Sequence, residues 1–381
     1  MASSCIKDEE DATPPPPTGD SPALAAAKTE AVANYANIVL ASYEDALSTA
    51  QLLKTAIDAF VAAPSSSGFE GCKQAWLASR LPYLQTEAYR FADGPIDNAD
   101  GPEGLLNAWP LDEAYIDYVE GNPNAGIINA PLMYPEITGE VLIALNEGGG
   151  ETNISTGYHA IEFLLWGQDQ SATGPGARDW SDYTAAPNAD RRGQYLKVCA
   201  ELLTGHLQYL VSAWATGASG NYRASFNSAN ANTSLTAMLQ GIGFLCKGEL
   251  AGQRMFVAFD TQEQEEEHSC FSDNTHNDIR MDIQGIENVF LGTYTRADGS
   301  TIMGTGIKDV VALVNNDAAN TTAALITEAK DRCYAIPAPF DQQIIGGDQS
   351  GPLYQAILAL RSAGDQLAAT AANMGLSITV E

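Results

Sequence analysis

Basic residues are scarce in this sequence. Its 381 residues include 19 lysines and arginines against 48 aspartates and glutamates, a formal net charge of −29. A surface this negative repels phosphate backbones and sets DNA and RNA binding aside. It suits attraction of cations, or serves as a solvated acidic face that keeps the protein in solution. Long apolar runs are missing as well. No stretch approaches the roughly 18 residues of a membrane helix, so membrane attachment is expected only through an anchor outside the folded body. Neither CxxC nor CxxCH occurs, which excludes a zinc ribbon, a thioredoxin-type centre or a c-haem site. Strand patterning is almost absent; Ser377 to Val380 is too short to matter.

What is there is helical. Hydrophobic residues make up 45% of the chain, an ordinary share for a globular core, and the length allows two domains. From Pro22 to about Ala63, apolar residues recur at three- and four-residue spacing, uninterrupted by Pro or Gly between Ala23 and Ala62, which predicts a long helix. A second helix is predicted from Phe69 to about Phe91, kinked at Pro82. Asp93 to Asp112 reads as loop, and a short helix follows Pro110. Further helices are expected over 136–145, from Thr156 to Trp166, from Asn188 to about Trp214, from Ser234 to about Asp260, from Thr275 to Phe290, over 307–332 and over 352–374. Thr275-x-x-Asp278 reads as a capping box. The polar loop between Gly167 and Pro187 suits a domain connector.

The reading is therefore all-α, with two helical bundles. Residues 1–21 form a tether, 22–167 the first bundle, 168–188 the connector and 189–381 the second bundle. An internal repeat supports two bundles. Ile161-Glu162-Phe163-Leu164-Leu165-Trp166-Gly167 parallels Ile286-Glu287-Asn288-Val289-Phe290-Leu291-Gly292, placing Glu162 on Glu287 and His159 on Gln284. Both halves run long helix, acidic loop, Ile-Glu helix in the same order, which points to duplication and a pseudo-twofold.

The chemistry-bearing stretch is Gly157-Tyr158-His159-Ala160-Ile161-Glu162. Thr156 is the expected N-cap, and spacing i, i+3 puts His159 and Glu162 on one helix face. An imidazole beside a carboxylate can ligate a metal; it can equally be a core histidine with a hydrogen-bonded partner. The segment from His268 to His276 is a second candidate, rich in turn and cap residues, and reads as an interdomain loop. His206 reads as a core or boundary histidine.

At the N-terminus, small residues precede Cys5, followed by Lys7 to Asp11 and a proline run, Pro14 to Pro17. This looks like the mature start of a bacterial lipoprotein with Cys5 lipidated, or a free cysteine in a disordered tail. The prolines would form an extended tether.

The stretch Gly157–Glu162 matches the GxHxxE signature of imelysin-like proteins, which also carry a peptidase M75 label. The branch described as iron-regulated protein A is the best fit. Trp109-Pro110-Leu111-Asp112-Glu113, Gly167-Gln168-Asp169 and the run from Glu267 to His276 resemble the same family. The resemblance implies a fold of two four-helix-bundle-like domains related by a pseudo-twofold, and a site near the domain interface containing His159 and Glu162. It also implies a secreted, periplasmic or outer-membrane lipoprotein associated with bacterial iron uptake. Its partner would be a metal ion or small metal-bearing ligand, with an outer-membrane or periplasmic protein as a further partner. Export in turn predicts at least one disulfide among Cys199, Cys246, Cys270 and Cys333.

Hydrolytic zinc needs HExxH or HxxEH, and Phe163 follows Glu162 where the reversed motif needs histidine. Three functions are therefore carried forward: a non-catalytic protein binding a divalent or iron cation or a metal-bearing ligand, a metallopeptidase, and a surface interaction module. Candidate partners for His159 and Glu162 are Glu87, Asp112, Glu113, Arg254 and Glu287. Each of the first four also reads as a surface charge or an interface ion pair, and Glu287 as the partner of Arg254.

Overall fold

The computed structural model describes residues 19–171 and 173–381; Cys5 and most of the expected tether lie outside them. The architecture is a helix Pro22–Ala62 of 41 residues with the other helices packed around it. Its apolar repeat explains its length. Ala36, Tyr43, Ala50 and Ile57 recur every seven residues, as do Val32, Val39, Ala46, Leu53 and Phe60, and all nine are buried. A sustained seven-residue repeat keeps one seam facing its partners along the whole helix. Burying each large apolar side chain contributes about 1.5–3 kcal/mol.

That seam receives the helix Ser66–Gln85 and the helix Ala189–Trp214, and further along the helices Ala231–Phe244 and Ile307–Ala312. Pro82 sits inside Ser66–Gln85, and a 3₁₀ turn, Thr86–Tyr89, follows directly. The helix Ala189–Trp214 lies against both the first helix and the motif helix Gly157–Trp166, so the connector at 168–188 leads back onto the first group of helices. Thr275–Leu291, Asn316–Tyr334 and Pro352–Asn373 pack in sequence, with Pro352–Asn373 against the Leu245–Phe256 segment. The predicted helix over 307–332 is two pieces, Ile307–Ala312 and Asn316–Tyr334, the second capped by the Asn315 side chain.

Two features escaped the sequence reading. A hairpin pairs Thr293–Thr295 with Thr301–Met303, Tyr294 opposite Ile302. It is pinned to the first helix by Asp45, which accepts from the Tyr294 hydroxyl at 2.9 Å and from Arg296 at 2.8 Å. The other is a π-helical segment, Leu245–Phe256, continuous with helix on both sides. Its wider turn lets Arg254 reach back five residues to Glu249 at 2.9 Å, and such segments gather at functional places in helices.

The expected disulfide is absent. Cys72, Cys199, Cys246, Cys270 and Cys333 are all free and buried. Each is absorbed by packing: Cys199 and Cys246, for instance, point their thiols at the carbonyls of Ser155 and Leu360. Burial pushes the Cys246 thiol up to about 12, so it behaves as a small apolar side chain. No helix among the described residues is long and apolar enough to cross a membrane.

Candidate functional site

The motif helix Gly157–Trp166 begins where it does because of a glycine. Gly157 has φ +86°, and a Cβ there would stand 2.6 Å from the Leu106 carbonyl oxygen. The backbone of 105–106 therefore closes over the helix start. Thr156 occupies the N-cap position, but its hydroxyl reaches the Leu105 carbonyl and Asn146 instead of capping.

One turn in, His159 Nδ1 meets Glu162 Oε2 at 2.9 Å. The other Glu162 oxygen accepts from the Ser272 N–H at 3.0 Å and its hydroxyl at 2.6 Å. The His159 ring packs edge-on to the His268 ring, centroids 4.8 Å apart. His268 Nδ1 is 2.7 Å from Asp278, which also accepts from Arg80 at 3.0 Å and from the Ser269 hydroxyl. Arg80 continues to Asn107 at 2.5 Å and lies over the Tyr158 ring. The segment 267–275, read as a structural loop, thus supplies half of the site.

All of these groups are buried; His159 is 1% exposed and Glu162 fully covered. Burial, then the neighbouring His268 and Arg80, holds the His159 imidazole neutral. Burial likewise lowers His268 to about 4 and raises Glu162 to about 8 despite its two bonds from Ser272. Burial would raise Asp278 too, but Arg80 and His268 outweigh it and keep that carboxylate ionised. His159 Nε2 has no hydrogen-bond partner, an uncommon state for a buried ring nitrogen.

The remaining candidates fall elsewhere. Glu87 and Arg254 belong together, 2.5 Å apart, in a buried network with Arg90, Glu249 and Asp282. Arg90 and Arg254 overcome burial and draw Glu87 down to about 2. Burial pushes Asp282 up, and the adjacent Glu87 adds to it, against the pull of Arg254 at 3.0 Å. Arg254 is thereby engaged by protein carboxylates. Asp112 is exposed and caps the short helix Glu113–Ile116 through Ala114 N–H. Glu113 is half-buried with one orphan oxygen. Glu287 pairs with Lys330 at 2.5 Å and with Gln284, not with Arg254; the carboxylates that its helix sends inward are Asp278 and Asp282. The capping-box reading fails for the same reason: Asn274 is the N-cap residue and Asp278 turns to His268. His206 is half-buried, at the boundary. Trp109 donates to the Glu267 carbonyl at 2.7 Å, and Trp166 packs on Trp76.

A cleft of about 480 Å³ reaches this region from the surface. Glu103, Glu147, Glu249, Arg254, Trp109 and His268 line it, and His159 stands one ring behind His268. Iron is the ion the sequence resemblance brings to mind, and the residues fit a bare ion poorly. Among the described residues no three His, Cys, Asp or Glu side chains are grouped to hold a metal, and both Glu162 oxygens are already occupied. What the site offers is a single neutral imidazole nitrogen.

A helical protein built on one spanning helix, with a buried His–Glu pair at a helix start, is the class that fold and site define. The chain belongs to the imelysin family, whose model, Peptidase_M75, matches residues 39–367. Iron-regulated protein A of Synechococcus elongatus is 25% identical over 338 residues, 87% of this chain and 82% of that protein. A Parabacteroides distasonis crystal structure assigned as an iron-regulated protein A precursor superposes with a TM-score of 0.73 at 20% identity, covering 93% of this chain and 97% of that one. An imelysin-like protein from Psychrobacter arcticum gives 0.67 at 12% identity, covering 93% and 98%. The likeness of these two structures shows the all-helical fold.

Proposed function

We propose that this chain is a non-catalytic, extracytoplasmic binding protein of bacterial iron uptake, and that its ligand carries the metal in. The ligand enters the cleft of Glu103, Trp109, Glu249 and Arg254, and the metal takes His159 Nε2 as one donor. The unpartnered Nε2 of His159 is the observation that carries this reading: with the ring proton on Nδ1, directed at Glu162, a neutral imidazole offers its lone pair at Nε2, and Glu162 fixes the ring as carboxylates do for ligating imidazoles. A ligand that brings most of its own donors needs only that one. The His159 site lies where the motif helix meets the 267–275 segment, and the proposal takes that junction as the interface of two bundles related by a pseudo-twofold. Superposing Ile161–Gly167 on Ile286–Gly292 with their surrounding helices tests that symmetry.

Relatives named for iron regulation support an iron-related role. Attachment through a lipidated Cys5 and a periplasmic or outer-membrane partner complete the proposal; mass analysis of the N-terminal peptide from native membranes tests the first. Calorimetry on metal-stripped protein with ferrous iron, zinc and ferric citrate tests the site. Binding of at least one probe by the wild type and its loss in His159→Ala, with helicity retained, is the expected outcome. Equal binding by both proteins rejects it. Chelator-sensitive cleavage of a protein substrate would favour a metallopeptidase instead.

A further inference from the structure

Four carboxylates gather beside the segment that supplies His268. Asp169 comes from the loop after the motif helix, Glu267 and Asp273 from the segment before Thr275, and Asp341 from the start of the short helix Asp341–Ile344. None is more than 9% exposed. Two of them are served by donors: Asp169 by the Ser171 N–H at 2.8 Å and the Gln264 amide, and Asp341 by the Gln342 N–H at 2.8 Å. Glu267, 1% exposed, has no hydrogen-bond partner on either oxygen, and Asp273 Oδ1 has none either. The nearby Thr275 hydroxyl favours an ionised Glu267 without forming a well-shaped bond; its oxygen accepts from the Ser269 N–H at 3.0 Å.

The charges acting on Glu267 are Asp341, Asp273 and Asp169, all negative. Burial and those neighbours push it well above the usual carboxylate range, and Asp273 is raised to about 7 by burial and by Asp169. A buried carboxylate without a donor or cation costs several kcal/mol; Asp169 and Asp273 ease that by a hydrogen bond to each other, while a proton on Glu267 relieves its charge and leaves its oxygens unpaired. A cation relieves both. The donor set is all oxygen, with no imidazole or thiolate, which suits a hard divalent ion and not a soft one. Asp169 also borders a separate cleft of about 460 Å³ with Glu120 and Gln168, open enough to admit a hydrated ion.

We propose that Asp169, Glu267, Asp273 and Asp341 form a site for a hard divalent cation of the calcium type, separate from the His159 pair. No three of these donors already stand at coordinating distance, so the side chains draw together as the ion enters and its binding joins three segments of the chain. This goes beyond the iron reading and stands if that reading fails.

Terbium is the probe, because Trp109, bonded to the Glu267 carbonyl at 2.7 Å, is placed to sensitise its emission. The full chain, stripped of metal and held at mildly alkaline pH, should show sensitised emission that calcium displaces. Glu267→Gln and Asp273→Asn should each weaken calcium binding by at least about tenfold. Without metal both should melt at or above the wild-type temperature, since each removes a buried acid from a like-charged group. Asp341→Asn is the substitute if either fails to fold. His159→Ala should leave terbium emission unchanged. Emission that is absent, undisplaced by calcium, unaffected by the three amide variants or lost in His159→Ala overturns the proposal.

Discussion

Ser272 holds Glu162 twice, through its backbone N–H at 3.0 Å and its hydroxyl at 2.6 Å, both to the same carboxyl oxygen. The two residues are 110 positions apart, so this grip ties the motif helix to the segment that carries His268. Ser272→Ala keeps the N–H and removes the hydroxyl. One buried hydrogen bond to a carboxyl group is worth about 1–2 kcal/mol net, and urea unfolding should show a loss of that size. No change in midpoint would mean that the hydroxyl bonds water as readily as Glu162.

Arg80 and Asp278 form an ion pair in which both side chains are covered. Removing one partner strands the other as a buried charge, which typically costs about 3–5 kcal/mol. Arg80→Met should therefore lower stability by about that amount. The double variant Arg80→Met/Asp278→Asn should lose less than the single one, because the stranded charge is gone. Equal losses in urea melts would show that packing of the guanidinium on Tyr158 matters more than its charge.

Helices were legible in the sequence because their apolar spacing is regular: Pro22–Ala62, Ala189–Trp214, Thr275–Leu291 and Pro352–Asn373 all begin and end within a few residues of where periodicity puts them. The His159–Glu162 contact was legible because i, i+3 spacing is local. What the pair touches was not. Arg80 is a single cation among Trp76, Tyr83 and Leu84 on an apolar helix, and Asp278 and Asp282 stand i, i+4 on a helix otherwise apolar on that face. Charges in such places need a buried partner, and the sequence carries that signal. Repeat register points instead to Glu287, the equivalent of Glu162, whose side chain turns outward to Lys330. Which helix faces which is a property of tertiary packing, so repeat register alone misassigned it. The free cysteines carry the same lesson: compartment predicts whether disulfides are permitted, while packing decides whether two thiols meet.

Those thiols give a direct measurement. Cys72, Cys199, Cys246, Cys270 and Cys333 are buried and free. Alkylation of the native protein without reductant should label none of the five within the time that labels all five in urea. Mass mapping should find no peptide lighter by the two hydrogens of a disulfide. A linked pair among Cys199, Cys246, Cys270 and Cys333 would restore the expectation from export.

Gly157 joins a positive φ to a close backbone approach. Gly157→Ala must find room for a Cβ against the Leu106 carbonyl while holding a left-handed backbone, a strain of about 1–3 kcal/mol before any shift of the 105–106 turn. Its melting temperature should fall and its ligand binding weaken together, because the same turn leads to Asn107 and the cleft. A stable variant with unchanged binding would show that this turn yields easily.

Glu162 sets the last expectation, a dependence on pH. Its folded value is raised from 4.5 to about 8 by burial. Between those limits the unfolded chain gives up the Glu162 proton and the folded protein keeps it. The unfolded state then binds fewer protons, so this residue makes stability fall as pH rises through that window and contributes nothing below it. His159 and His268 act with the opposite sign: both are lowered beneath 6.5 in the folded protein, so they cost stability as pH falls through that value. The two effects separate in a comparison with Glu162→Gln. The amide keeps an oxygen for Ser272 and cannot ionise, and its N–H facing Nδ1 would move the ring proton of His159 to Nε2. The melting temperature of Glu162→Gln minus that of the wild type should therefore grow as pH is raised from the unfolded to the folded value. A difference that stays flat would mean that Glu162 is ionised throughout, its carboxylate accepting the Nδ1–H of His159. That pairing keeps the proton on Nδ1 and leaves Nε2 its lone pair, whereas a Glu162 protonated toward His159 donates to Nδ1 and puts the ring proton on Nε2.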